Sequence, residues 1–156
     1  MTEIDLETPP VKTRTTVFLV DDHPLVRDWL SQLINEEHDL EVCGSAGDAD
    51  QAVTAIEQLK PGIVIVDIGL PGKSGLELIR FLTNRNPEEN ILVLSMHDES
   101  VYASRSFRAG ARGYVSKRET AEKVVQAIRR ILAGGIEGHE SFAETSSSTV
   151  SRTRRG

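Results

Sequence analysis

The stretch 63–79, IVIVDIGLPGKSGLELI, contains the pattern that decides the fold. It begins with four β-branched apolar residues, passes through Asp67 into a loop containing Gly and Pro, and then takes up helical spacing. A short, wholly apolar run predicts a strand covered on both faces. Ser74 and Glu77 form a capping-box pattern, which predicts the start of a helix. The stretch therefore predicts a strand followed by a helix, the repeating unit of a parallel α/β sheet.

The same alternation extends on both sides of this stretch. Four further strands are predicted from apolar runs at Val17–Val20, Leu40–Ala46, Ile91–Leu94 and Gly113–Val115. Segments with helical spacing lie between and after them, and the segment 99–109 has the weakest apolar stripe. Five strand–helix units with short connections predict an α/β, doubly wound parallel sheet. Functional residues of such sheets gather at the carboxyl ends of the strands.

The first predicted helix has an apolar stripe that includes Leu25 and Trp29. We expect both side chains to face the core, because a stripe at helical spacing normally marks the buried side. His23 is expected only to begin this helix.

Composition excludes several classes of function. A net charge of −6 and a pI near 5.2 argue against binding DNA through bulk positive charge. One cysteine cannot build a disulfide framework within the chain, which favours a reducing intracellular setting. No apolar run approaches the roughly 20 residues of a membrane span, and no signal-peptide pattern is present. We expect a cytoplasmic protein without membrane contact.

The two ends of the sequence differ from its centre. Residues 1–15 are polar, contain two adjacent prolines and predict a disordered leader. Residues 136–156 are rich in Ser and Thr and predict a polar linker. The folded domain is expected over residues 16–135. We expect the linker to lead to a further domain that is absent from this sequence.

Polar residues with complementary chemistry follow four of the predicted strands. Asp21 and Asp22 follow the first, Asp67 closes the third, Ser95 follows the fourth and Lys117 follows the fifth. All five are expected at one rim of the sheet. Three neighbouring carboxylates repel one another unless a cation compensates, and a hard divalent ion such as Mg²⁺ is the natural one.

A carboxylate beside a metal, a hydroxyl and a lysine can accept a phosphoryl group. Asp67 is the predicted nucleophile, and Lys117 is expected to bind the phosphoryl oxygens. Ser95 is expected to donate a hydrogen bond to the same group, together with backbone amides of the loop that follows Asp67.

Four segments carry a resemblance to a known family. VFLVDDHPLVRDWL, IVIVDIGLPGKSGLELI, ILVLSMHDE and ARGYVSK resemble the receiver domains of two-component response regulators over about residues 16–135. The resemblance implies a flavodoxin-like fold with strand order 2-1-3-4-5. It also implies a sensor histidine kinase as the phosphoryl donor.

The resemblance assigns roles residue by residue. Asp67 is implied as the phosphoacceptor. Asp22, Asp67 and the carbonyl of Gly69 are implied as direct Mg²⁺ ligands, with Asp21 acting mainly through water. Tyr114 matches an aromatic switch position that is expected to move after the Ser95 hydroxyl turns toward the phosphoryl group.

Two further positions tune the lifetime of the phosphoryl group in this family. They are Gly69, which has no side chain to position or block water, and His97, which has one that could do either.

The details of the motifs resemble the NarL/FixJ subfamily, whose members carry a LuxR-type helix-turn-helix output domain. That output domain is absent from this sequence, so we expect the chain to be part of a longer transcription regulator. DNA contact is expected only through the absent domain. A homodimer is expected on phosphorylation.

Two other functions use similar residues. A haloacid-dehalogenase-like phosphatase also has an Asp nucleophile, but it places a second Asp two residues later, where this chain has Gly69. The other alternative is a protein-binding module that is never phosphorylated. The complete set of acidic, hydroxyl and lysine residues argues against that module.

Overall fold

The computed structural model describes residues 14–70, 74–96 and 100–136. Five parallel strands form one sheet in the order β2-β1-β3-β4-β5. Strands β1 to β5 are Thr15–Val20, Leu40–Ala46, Ile63–Asp67, Ile91–Ser95 and Gly113–Ser116. Helices α1 to α5 are Pro24–Asn35, Ala49–Leu59, Gly75–Arg85, Ser100–Ala109 and Ala121–Leu132. The predicted doubly wound, flavodoxin-like fold and its strand order are confirmed.

Helices cover both faces of the sheet. One core layer lies between the sheet and α2, α3 and α4, and the other lies between the sheet and α1 and α5. Every residue of β3 and β4 is buried, as the wholly apolar runs of these strands predict. The central strands are therefore packed on both faces, and their carboxyl ends carry Asp67 and Ser95.

Local chemistry sets where the helices begin and end. Ser74 and Glu77 form the predicted capping box at the start of α3, with hydrogen bonds of 3.2 and 3.0 Å. Helix α4 ends before Gly110, whose φ of +119° is a conformation that glycine adopts readily. A Cβ on Gly110 would also lie 2.5 Å from the methyl group of Thr83 on α3.

Glycine at the start of α3 lets the helix approach the end of β3. A Cβ on Gly75 would lie 2.6 Å from the carbonyl oxygen of Asp67 and 2.7 Å from the Cα of Ile68. The Gly75 amide also donates a hydrogen bond to the Ile68 carbonyl at 3.3 Å. This close approach fixes the backbone of Asp67 against α3.

The prediction for the apolar stripe of α1 is wrong at two positions. Leu25 is 82% exposed and Trp29 is 42% exposed, whereas Leu30 and Ile34 are buried. Consecutive helical residues point about 100° apart, so Trp29 lies well to one side of the Leu30 direction that faces the sheet. Sequence spacing overestimated the width of the buried face.

Among the described residues, no helix is long and apolar enough to cross a membrane.

We predict that Gly75→Ala lowers the free energy of unfolding by about 1–3 kcal/mol, because the new methyl group collides with backbone atoms. Gly69→Ala is the matched control, since its Cβ would have only an ordinary contact, 3.7 Å from Asp67 Oδ1. Urea unfolding measures both. Equal stability of the two variants would contradict the close approach of α3 to β3.

Candidate functional site

Lys117 joins two buried carboxylates at the carboxyl ends of β1, β3 and β5. Its Nζ lies 2.9 Å from Asp21 Oδ2 and 3.2 Å from Asp67 Oδ2. The side chains of Asp21, Asp67 and Lys117 are 4%, 7% and 10% exposed, so water screens this contact little. The structure therefore brings the predicted lysine and two predicted acids together at one rim.

Asp67 has a defined partner for each carboxylate oxygen. Oδ2 faces Lys117, and Oδ1 accepts a 2.9 Å hydrogen bond from the backbone amide of Gly69. Gly69 is exposed and adds no side chain above the carboxylate. The Asp67 carboxylate is thus held in position by its neighbours. No side chain at position 69 blocks access to it from solvent.

Asp21 is held by residues that sequence reasoning did not assign to the site. Its Oδ1 accepts a 2.9 Å hydrogen bond from the backbone amide of His23, and the His23 imidazole Nδ1 lies 3.0 Å away. Arg27, one turn into α1, donates to the Asp21 carbonyl at 2.8 Å. The signal available in the sequence was only adjacency, because His23 directly follows the acid pair and Arg27 lies four residues, about one helical turn, after His23.

Asp22 carries an unsatisfied oxygen. Its Oδ1 is buried and accepts no hydrogen bond from the residues that the structure describes, although the side chain as a whole is 33% exposed. A buried, unsatisfied carboxylate oxygen is costly. Within the described residues, ligand atoms of Asp21, Asp22, His23 and Asp67 lie within 4.8 Å of one another. This donor set fits a divalent cation, which would satisfy the Asp22 oxygen.

The protonation of Lys117 reflects its acidic surroundings. Burial acts to lower the pKa of Lys117, but hydrogen bonds and charges from Asp21 and Asp67 outweigh burial, so the pKa is raised. Because the pKa is raised in the folded state, this contact stabilises the fold at neutral pH. The contribution is lost as the pH rises through the raised pKa.

Ser95 and Tyr114 lie on the same face of the sheet. Ser95 is the fully buried last residue of β4, two residues after Val93. Tyr114 pairs with Val93 in the β4–β5 register and packs, half-buried, against the core under α2, α3 and α4. Side chains two apart on a strand share a face, so the hydroxyl and the ring both point toward the α2–α4 side.

Of the predicted site residues, His97 lies outside the described residues, as do residues 71–73 after Asp67. The Lys117 backbone amide donates to the Ser95 carbonyl at 2.8 Å, which connects the two strand ends that carry the predicted phosphoryl ligands.

Comparison with known proteins identifies the class. The family model described as response regulator receiver domain matches residues 17–129. The chain belongs to this family, and a receiver is a signalling domain rather than a classical enzyme. The predicted resemblance is confirmed, because the relatives of the chain include LuxR- and NarL-type regulators.

Three relatives define the likeness further. The transcriptional regulatory protein MctR of Rhizobium johnstonii is 36% identical over 124 residues, which are 80% of this chain and 58% of MctR. A LuxR-family response regulator from Aurantimonas sp. has 34% identity and a TM-score of 0.80, with 92% of this chain and 100% of that chain covered. The receiver domain of a response regulator NarL from Mycobacterium tuberculosis has 25% identity and a TM-score of 0.74, covering 78% and 98%. The chain spans little more than half the length of the curated relatives it matches.

We predict that Mg²⁺ stabilises the wild-type protein and has a much smaller effect on Asp22→Asn, because that variant weakens the ligand set. Saturation to ten times the dissociation constant should add about 1.4 kcal/mol to the free energy of unfolding. Urea unfolding with and without Mg²⁺ measures the gain. Asp28→Asn, an exposed acid on α1, is the control and should keep the full gain. An equal gain in wild type and Asp22→Asn would count against a cation site at this rim.

Proposed function

We propose that the chain accepts a phosphoryl group on Asp67 from a sensor histidine kinase and acts as a phosphorylation-dependent switch. The surroundings of the Asp67 carboxylate are the main support for this proposal. This carboxylate is buried at the rim, lies 3.2 Å from the Lys117 ammonium and accepts a hydrogen bond from the Gly69 amide. Membership of the receiver family supports the same conclusion.

In the proposed transfer, an Asp67 oxygen attacks the phosphorus of a phosphohistidine on the kinase. The new P–O bond forms as the P–N bond breaks, and the electron pair of that bond stays on the donor imidazole. Lys117 and the hydroxyl of Ser95 bind the phosphoryl oxygens, whose negative charge they offset. Loss of the group is the attack of water on phosphorus, which breaks the P–O bond to Asp67 and releases phosphate. Gly69 and His97 are proposed to set the rate of that loss.

Mg²⁺ is the proposed cofactor. Asp22, Asp67 and the Gly69 carbonyl would hold it, with Asp21 acting mainly through water. When bound, it would neutralise charge on the phosphoryl oxygens. The unsatisfied oxygen of Asp22 supports this proposal.

We propose that phosphorylation is read out through Ser95 and Tyr114. The phosphoryl group would draw the Ser95 hydroxyl toward Asp67, and the Tyr114 ring would move into the space that opens. Their shared face of the sheet supports the coupling. A contact that exists in only one state shifts the equilibrium between two conformations. The expected consequence is a homodimer through the surface of α4, β5 and α5, or through α1 and α5.

The wider context is proposed from the relatives. The transcriptional regulators that the chain matches are longer, and the domain proposed here covers residues 16–135. We propose residues 1–15 as a leader and residues 136–156 as a linker to a helix-turn-helix domain, which would contact DNA. The protein would work in the cytoplasm beside its kinase.

The kinase needs a docking surface next to Asp67, and α1 offers one. Leu25 and Trp29 lie four residues apart, so their exposed side chains lie on the same side of the helix that follows Asp21 and Asp22. Neighbouring exposed apolar side chains are common at protein contact sites, and Trp is enriched among the residues that dominate binding energy. We propose that the kinase packs on Leu25 and Trp29 while it presents the phosphohistidine.

We predict that incubation with Mg²⁺ and a small phosphodonor adds one phosphoryl group to the wild type and none to Asp67→Ala, as measured by intact-protein mass spectrometry. Asp50→Ala, which removes an exposed acid on α2, is the control and should be phosphorylated like the wild type. Lys117→Met should slow the reaction by roughly 10²-fold, because a preorganised charge is lost.

Phosphorylation of Asp67→Ala at the wild-type level would contradict the assignment of the acceptor. Steady hydrolysis of a generic phosphomonoester would instead favour the phosphatase alternative. No phosphorylation of the wild type under any donor would favour the binding module.

We predict that Tyr114→Ala is phosphorylated normally but loses phosphorylation-dependent self-association, measured by sedimentation velocity with and without phosphodonor. Tyr102→Ala, which removes a second ring packed against the same core, controls for general loosening of that core. Unchanged association of Tyr114→Ala would show that the ring takes no part in the readout.

We predict that Trp29→Ala slows phosphoryl transfer from a purified histidine kinase at least about tenfold, the loss expected for one central interface residue. Transfer from a small phosphodonor should not change, because α1 would contact only the kinase. Phe81→Ala is a matched control, since Phe81 is also 42% exposed but lies on α3. If Phe81→Ala impaired the kinase reaction as much as Trp29→Ala, the docking surface would not be on α1.

A further inference from the structure

The imidazole of His23 faces the same point as the three carboxylates of the site. His23 Nδ1 lies 3.0 Å from Asp21 Oδ1, 3.2 Å from Asp22 Oδ1 and 3.9 Å from Asp67 Oδ2. The contact with Asp22 is not a hydrogen bond, since that oxygen accepts none from the described residues. The His23 Nδ1 atom therefore lies beside the Asp22 Oδ1 atom, which accepts no hydrogen bond from the described residues.

The separations from Asp22 and Asp67 are those expected of atoms that share one small ion. Metal–ligand bonds of about 2.1 Å at right angles place neighbouring ligand atoms about 3 Å apart and opposite ones about 4.2 Å apart. The distances from His23 Nδ1 to Asp22 Oδ1 and Asp67 Oδ2, 3.2 and 3.9 Å, lie close to these two values, whereas the 3.0 Å distance to Asp21 Oδ1 is that of an ordinary hydrogen bond. The Nδ1 atom thus lies at a suitable distance to join Asp22 and Asp67 around the cation that the carboxylates would hold.

His23 can turn its lone pair to a cation without abandoning Asp21. The backbone amide of His23 also donates to Asp21 Oδ1, at 2.9 Å, so that oxygen keeps a partner if the imidazole hydrogen moves to Nε2. The His23 side chain is 61% exposed, so water can reach the ring. His23 is the N-cap residue of α1 without a side-chain cap, and its side chain is not needed to start the helix.

We propose that His23 is a ligand of the rim cation through Nδ1 and that it determines which cations the site accepts. The inference rests on the proposed metal site and extends it. A site made only of oxygen donors suits Mg²⁺, whereas an imidazole nitrogen increases affinity for borderline ions such as Co²⁺, Ni²⁺ and Zn²⁺. The site would therefore prefer such ions to Mg²⁺ more strongly than its oxygen donors alone would, and His23 would supply that increase.

The test is calorimetric titration of the unphosphorylated protein with Co²⁺ and with Mg²⁺. His23→Ala should weaken Co²⁺ binding at least about tenfold and change Mg²⁺ binding little, because only Co²⁺ gains from the nitrogen. His23→Asn should behave likewise toward Co²⁺, and Asn is a favoured residue at a helix N-cap, so this variant keeps the fold. The visible absorption spectrum of bound Co²⁺ should change in both variants. His38→Ala is the control. His38 is exposed in the turn before β2, so it lies at the amino-terminal ends of the strands, away from the rim that holds the site.

The outcomes separate this inference from the proposed function. Equal Co²⁺ affinity in wild type and His23→Ala, with Mg²⁺ still bound, would overturn the role of His23 and leave the metal site standing. An equal loss in His38→Ala would overturn it too, by showing that Co²⁺ binds elsewhere. Absence of both Mg²⁺ and Co²⁺ binding to the wild type would overturn the metal site itself, and the inference with it.

Discussion

The contact of one lysine with two buried carboxylates organises this molecule. Parallel strands bring the carboxyl ends of β1, β3 and β5 to one rim, and there the Lys117 ammonium lies within 3.2 Å of both Asp21 and Asp67. Without this charge, two carboxylates with little access to water would repel each other across the rim. The arrangement of the rim therefore depends on the cation that directly follows β5, and the same cation contacts the proposed phosphoacceptor.

That contact leaves the rim incompletely neutralised. The Lys117 ammonium contacts two of the three clustered carboxylates, and the buried oxygen of the third, Asp22, accepts no hydrogen bond from the described residues. A divalent ion would offset the excess negative charge of the acids, and Lys117 together with that ion would offset the charge that a phosphoryl group adds. In the proposed switch, the unphosphorylated and phosphorylated states differ in their contacts. The contact between the Ser95 hydroxyl and the phosphoryl group exists only after phosphorylation, so it favours the second conformation.

Much of the fold and of the cluster was predictable from the sequence, because both depend on short-range patterns. Wholly apolar runs marked the buried strands, and the acids and lysine followed directly from the strand ends. The exposure of Trp29 was not predictable, since periodicity shows the direction of a buried face but not how much of it the neighbours cover. The position of His23 also required coordinates. Its nitrogen approaches Asp67, which is distant in sequence, and only the sheet topology brings the two together.

The most direct test of the central claim is the site of phosphorylation. Borohydride reduces an aspartyl phosphate to homoserine, and peptide mapping by mass spectrometry then locates the converted residue. The account predicts conversion at Asp67 alone, since its carboxylate is the one held between the proposed cation ligands and Lys117. Conversion at Asp21 or Asp22 in place of Asp67 would contradict it.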